Sequence, residues 1–265
     1  MDKRFIQEIK EIITSAGRIA LDVRERGLEI KTKEDNSPVT NADIQISDYI
    51  FTKLLEIMPS IPVVCEERTL VDITDKKQFW LIDPIDGTRS FIKNNDSFTV
   101  NIAMIDDKTP TFGFVYLPSK DRLYFTDENM DFCIQENGKI VGNNKHTKDG
   151  LVAVVSSHNF NSETESYLKE NEFSEIIAVP SSIKLCMIAE GAGDVYPKFG
   201  PTMEWDTAAG HALVKSAGGS VLTLLGEEMG YAKEGFLNPD FIATNKKWAE
   251  SYNMYRLQGR HGEER

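Results

Sequence analysis

The chain is poor in cysteine. Cys65, Cys133 and Cys186 are odd in number, widely spaced and form no Cys-x-x-Cys pair. That argues against a disulfide framework or a thiolate zinc site and fits a reducing compartment. Long apolar runs are also missing, and nothing approaches the roughly 20 residues that a membrane-spanning helix needs. The start, Met1-Asp2-Lys3-Arg4, leads into an amphipathic pattern rather than the unbroken apolar core of a secretory signal. The expectation is therefore a cytoplasmic protein without a stable membrane anchor. Positive charge is scarce too: 30 Lys and Arg stand against 42 Asp and Glu, a net charge of −12. A generally basic surface for a nucleic-acid polymer is excluded, while a local positive pocket stays open. No internal repeat and no low-complexity segment occurs.

What is present begins with a short stretch. The apolar run Phe79-Trp80-Leu81-Ile82 reads as a buried strand, and it runs into Asp83-Pro84-Ile85-Asp86-Gly87-Thr88. Pro84 fixes its own φ and restricts Asp83, and Gly87 permits a sharp turn or a close approach to a ligand. Two carboxylates beside a permissive backbone and a hydroxyl suit a hard cation and a phosphate. An Asp-Gly turn after a strand has the same residue types, and locally the two readings balance. Three further acid positions join this pair. Asp43 follows Thr40 in a capping-box pattern that by itself explains it. Glu66 and Glu67 end a short strand at 61–64, where a solvated charge cluster is the commoner outcome. Asp206 opens a helix at Trp205-Asp206-Thr207-Ala208-Ala209-Gly210.

The 265 residues permit one large domain or two moderate ones. Phe5, Ile9, Ile12, Ile13, Ala16, Ile19, Ala20 and Val23 recur at helical spacing, with Gly27 as a stop. Residues 31–39 are polar and contain Asp35-Asn36-Ser37-Pro38, a loop signal. A second amphipathic helix follows Asp43. Strands are expected at 99–105, 112–116, 122–125 and 132–135 as an antiparallel run, so the first half reads as α+β. Residues 136–150 are rich in Gly, Asn and Lys, which places a boundary between domains 1–146 and 147–265. The second half alternates, with strands at 151–157, 176–179, 195–196, 220–224 and 241–244 and helices at 163–169, 183–189 and from 205, as a layered α/β unit.

Taken in order, Pro38-Val39-Thr40-Asn41-Ala42-Asp43, Glu66-Glu67, Trp80 to Thr88 and Trp205 to Gly210 resemble the lithium-sensitive, magnesium-dependent phosphatases of the inositol monophosphatase superfamily. The likeness covers nearly the whole chain and implies an αβαβα sandwich. It also implies that Glu66, Asp83, Asp86 and Asp206, with the carbonyl of Ile85, hold two or three Mg²⁺ ions. Hard oxygen donors of this kind suit that ion, and paired metals about 3.5–4 Å apart can serve both oxygens of an in-line displacement. Asp43 and Thr88, with Glu66, would orient and help deprotonate the attacking water, and the N–H groups of Gly87 and Thr88 would meet the phosphate. Glu67 would tune its neighbour.

Phe91-Ile92-Lys93, Phe98 to Ala103, Ser181-Ser182-Ile183-Lys184, Tyr196 to Thr202 and Phe236-Leu237-Asn238-Pro239 are similar to the bacterial branch acting on 3'(2'),5'-bisphosphate nucleotides. The implied reaction removes the 3'-phosphate of adenosine 3',5'-bisphosphate, a by-product of sulfate-donor metabolism, and leaves AMP. The sulfate-bearing nucleotide is a further possible substrate. Lys184 and Lys198 would meet the second phosphate, with Ser181 and His158 as polar contacts near the nucleotide. Lys198 stands where many relatives carry Arg, so a point charge replaces a bidentate fork. Phe199 falls near the place where inositol phosphatases present an acid to the sugar, and Glu204 is out of step with it, which disfavours a polyol. The alternatives are an inositol or sugar phosphatase, and a non-catalytic nucleotide or metal sensor. The expected partner is a small phosphorylated molecule, and the expected assembly is a monomer or homodimer.

Overall fold

The computed structural model describes residues 1–249 except 35, 69, 70, 144, 147, 148, 158 and 159. The expected contact His158 lies outside the described residues.

The first helix, α1 (Lys3–Arg26), is capped by Asp2 and ends at Gly27, as its sequence predicts. Residues 31–39 are not simply a loop. Ile30–Thr32 (β1) and Pro38–Thr40 (β2) pair as an antiparallel hairpin. All three β1 residues are exposed, so no alternation of polar and apolar residues announces the strand, and the backbone pairing makes it. Helix α2 (Asn41–Ile57) starts at Thr40 with the expected capping box.

Strands β3 (Val63–Cys65) and β4 (Gln78–Asp86) are parallel neighbours. The short helix α3 (Thr88–Ile92) follows, and then β5 (Thr99–Asp106), β6 (Thr109–Leu117), β7 (Arg122–Thr126) and β8 (Phe132–Glu136) form the expected meander. One more strand, β9 (Lys139–Val141), extends it inside the glycine-rich stretch expected to be a linker. Asn137 and Gly138 both take positive φ there, the two-residue turn for which Asn-Gly is the strongest hairpin signal.

The second half contains β10 (Leu151–Ser156), α4 (Ser162–Glu170), β11 (Phe173–Val179), α5 (Ile183–Glu190), β12 (Val195–Lys198), α6 (Glu204–Ser216), β13 (Ser220–Thr223) and β14 (Phe241–Thr244). Its sheet has the order β11-β10-β12-β14-β13, parallel across the first three strands and antiparallel across the rest.

The layers follow from which face each strand buries. Trp80 and Ile82 of β4 pack with α1 and α2, while their neighbours Phe79 and Leu81 pack with Leu185 of α5 and Leu213 of α6. The unbroken apolar run of β4 is thus a strand covered on both faces. The same α5–α6 layer packs on Val154, Tyr196 and Phe241 of the five-stranded sheet. Ala153 and Val155, on the far side of that sheet, meet Leu168 of α4. The result is the αβαβα sandwich. Helix α6 lies so close on β6 that a Cβ at Gly113 would come 2.2 Å from the carbonyl oxygen of Ala209, so only glycine fits there.

Candidate active site

Strand β4 delivers its carboxylates through a bulge. Asp83 pairs with Asn101 and Asp86 with Thr99, so three steps on β4 match two on β5. The extra residue bends the strand and re-aims its side chains. Pro84 donates nothing to the ladder, and the Ile85 N–H turns back to Asp83 Oδ1 at 3.1 Å. Gly87 then takes φ +92° and starts α3, while the Thr88 hydroxyl donates to the Ile85 carbonyl at 3.1 Å.

The other acids arrive from different elements. The Glu66 N–H donates to the Ile82 carbonyl at 3.2 Å, which sets Glu66 beside Asp83. Asp206 lies in the first turn of α6, where its Oδ2 accepts the Met203 N–H at 2.8 Å. Glu66, Asp83 and Asp206 each offer a carboxylate oxygen within 4.8 Å of the others. Asp86 stands next to this trio without being part of it. Its Oδ2 accepts the N–H of Ser182, and Lys184 partly offsets its charge.

Burial, followed by repulsion from Glu66, Asp86 and Asp206, holds the Asp83 carboxyl well above the usual range. Burial and Asp86 push Asp206 up to about 8. Buried like charges cannot all ionise without compensation. A divalent cation with a preference for oxygen supplies that compensation, and carboxylates and carbonyls are the donors it takes. The donor set therefore fits a hard cation.

Asp43 is 1% exposed, with its Oδ2 accepting the Thr40 N–H at 2.8 Å and the Thr40 hydroxyl at 2.6 Å. Burial raises its carboxyl to about 6, and the Thr40 hydrogen bonds oppose the shift. In this geometry the hydroxyl of Thr88 is engaged with Ile85 and the carboxylate of Asp43 with Thr40.

A cavity of about 280 Å³ opens over these groups, floored by Glu66, Asp86, Gly87, Thr88 and Asp206. Ser181, Lys184 and Lys198 line it from the second half, and Ser37 and Pro38 of the β1–β2 hairpin from the first. The halves meet closely: a Cβ at Gly87 would lie 3.3 Å from Ser181 Cβ. Lys184 and Lys198 are only 7% and 6% exposed. Lys184 Nζ donates to the Ser181 carbonyl at 2.5 Å and stands 5.5 Å from the Tyr196 ring centroid. Burial lowers Lys184 to about 8, with Asp86 opposing the shift. The Lys198 ammonium makes no hydrogen bond or ion pair among the described residues, and burial lowers its pKa, with Asp206 and Asp240 opposing. Ser182 starts α5 without a side-chain cap. Its hydroxyl instead joins Thr99 at 2.7 Å and Asn101 at 2.8 Å.

Sequence reasoning missed Lys33. Its Nζ donates to Glu66 Oε1 at 2.8 Å and to Glu67 Oε1 at 2.5 Å, which ties the hairpin to the acid cluster. A lysine in a polar stretch carries no signal of such a role. Arg89, an exposed residue of α3, also lines the cavity.

Comparison with known proteins agrees with this geometry. The family model described as the inositol monophosphatase family matches residues 2–260. The 3'(2'),5'-bisphosphate nucleotidase CysQ of Salmonella typhimurium is 36% identical over 244 residues, covering 90% of this chain and 99% of that protein. CysQ of Escherichia coli K12 is 36% identical over 241 residues, covering 89% and 98%. The crystal structure of CysQ from Bacteroides thetaiotaomicron superposes with a TM-score of 0.79 at 34% identity, covering 92% of this chain and 98% of that one. On this evidence, carried by sequence, fold and the acid cluster alike, the chain belongs to the inositol monophosphatase family.

Proposed function

We propose that this chain is a Mg²⁺-dependent 3'(2'),5'-bisphosphate nucleotidase that hydrolyses the 3'-phosphate of adenosine 3',5'-bisphosphate to AMP and phosphate. The observation that carries the reading is the pair of lysines, each more than nine-tenths buried, in the wall of a cavity floored by carboxylates. A substrate with one phosphate at the acid cluster leaves the buried Lys198 ammonium without a partner and Lys184 with only a carbonyl and the Asp86 charge to face. A second phosphate gives them a partner, and lysine is a competent point-charge phosphate binder.

Glu66, Asp83, Asp86 and Asp206, with the Ile85 carbonyl, would hold two or three Mg²⁺ ions. Bound there, Mg²⁺ neutralises charge on the transferring phosphoryl group and polarises its oxygens. The remaining work falls to the protein. The N–H groups of Gly87 and Thr88 orient the scissile phosphate. Thr88 and Asp43, with Glu66, position the attacking water and help to take its proton. The water oxygen bonds to phosphorus as the bond to the ribose 3'-oxygen breaks, and that oxygen takes up a proton. Lys184 and Lys198 hold the 5'-phosphate, with Ser181 as a polar contact. On this division residues 1–146 carry most of the metal-holding groups, and residues 147–265 carry Asp206 and the specificity.

Phosphate release from adenosine 3',5'-bisphosphate, inositol 1-phosphate and fructose 1,6-bisphosphate tests the proposal, each measured with Mg²⁺, with EDTA and with added lithium. The expected result is a preference for the bisphosphate nucleotide that EDTA abolishes and lithium inhibits. No release from any substrate would remove the enzyme reading, and preference for inositol phosphate would move the assignment to a polyol phosphatase.

A further inference from the structure

Asn238 lines no part of the cavity, yet it is 5% exposed and spends its hydrogen bonds on the start of α6. Its backbone N–H donates to the Thr202 carbonyl at 2.8 Å. Its Nδ2 lies 2.8 Å from the Met203 carbonyl, 2.9 Å from Thr207 Oγ1 and 3.2 Å from Thr202 Oγ1. The Met203 residue it grips is the one that fixes Asp206. The Met203 N–H donates to Asp206 Oδ2 at 2.8 Å, and the Met203 carbonyl accepts the Asp206 N–H at 3.2 Å. Leu237 adds an isolated antiparallel bridge to Met203. The same stretch closes over Glu204, a fully buried acid that accepts the N–H groups of Ala232 and Lys233, each at 2.9 Å.

We infer that Asn238 is the positioning residue for the Asp206 carboxylate, acting through the Met203 backbone. The inference rests on the reading of Asp206 as a metal-holding group. A ligand carboxylate must sit within a few tenths of an ångström of its place, and groups that hold such ligands typically matter 10–100-fold in metal affinity. Without Nδ2, the Thr202 and Thr207 hydroxyls can rotate to other partners. The Met203 carbonyl loses its side-chain donor, and the backbone around it is free to tilt. Its N–H then no longer fixes Asp206 Oδ2.

The test is Mn²⁺ and Mg²⁺ binding by calorimetry without substrate, with the unfolding temperature measured in parallel, for the wild type, Asp206→Asn, Asn238→Ala, Asn238→Ser and Thr207→Val. The expected result is a metal Kd raised about tenfold or more in both Asn238 variants while they remain folded at the assay temperature. Thr207→Val, which keeps the Met203 contact, changes Kd less than about threefold. If Asn238→Ala does not fold, Asn238→Ser carries the test. An unchanged Kd in the folded Asn238 variants, with Asp206→Asn weakened, overturns the role of Asn238, because a purely structural residue lowers only the unfolding temperature. An unchanged Kd in Asp206→Asn overturns the underlying reading instead. A Thr207→Val effect as large as that of Asn238→Ala moves the determinant to Thr207 and overturns the assignment.

Discussion

On the proposed reading, Lys184 is the residue on which substrate choice turns. An ammonium group 7% exposed is costly unless it has partners, and burial already lowers its pKa to about 8. Asp86 and the Ser181 carbonyl compensate part of that cost. Charge-assisted hydrogen bonds contribute about 1.5–3 kcal/mol, so Lys184→Ala is expected to raise KM for adenosine 3',5'-bisphosphate about 10–100-fold and to leave KM for a nucleoside monophosphate far less changed. Equal losses on both substrates would show that Lys184 does not read the second phosphate. Most acids of the site are legible in the sequence because each sits in a short local frame, such as Asp83 and Asp86 flanking Pro84-Ile85 or Asp206 in a helix's first turn. Lys33 and Asn238 are not, because each acts across more than 30 residues of chain on groups that only folding brings near.

Among the elements, α6 carries the most. It packs on both sheets, opens with Asp206 and buries His211 completely. The His211 ring lies 3.1 Å from the Tyr231 hydroxyl and 2.9 Å from Glu228 Oε1. Burial lowers its pKa below the ordinary 6.5, with Glu228 opposing. Between that lowered value and 6.5 the unfolded chain binds the proton better than the native one. The contribution of this residue is therefore fully present above about 6.5 and is lost as pH falls below it. The urea midpoint of the wild type is expected to fall more between pH 7.5 and 5.5 than that of His211→Gln. Parallel profiles would mean that the imidazole is not held neutral. The elements themselves were largely readable, β4 from its apolar run and α1 from its spacing. The β1–β2 hairpin is not legible because its first strand is wholly exposed, and β9 because Asn137-Gly138, inside a stretch rich in Gly, Asn and Lys, fits a linker as well as a turn.

The whole molecule is two sheets closed on a shared helical layer, with carboxylates from both halves driven together at its edge. Their mutual repulsion destabilises the metal-free protein, and a cation that binds only the native state offsets it. At a Mg²⁺ concentration a hundred times its Kd, the stabilisation is about 2.7 kcal/mol, a rise of about 5 °C in unfolding temperature for a chain of this size. Scanning calorimetry with and without EDTA checks this, and no shift would mean that the cluster does not take the ion. The sequence by itself determined which residue types could carry the chemistry, where the helices begin and which strands are buried on both faces, because caps, turns and hydrophobic periodicity are local. Only the tertiary structure decided that Glu66, Asp83 and Asp206 converge, that Asp86 faces Ser182 and Lys184, and that the acids opened by Asp83 to Thr88 are completed from α6. Convergence of that kind depends on how two sheets dock on one helical layer, and no spacing along the chain encodes it.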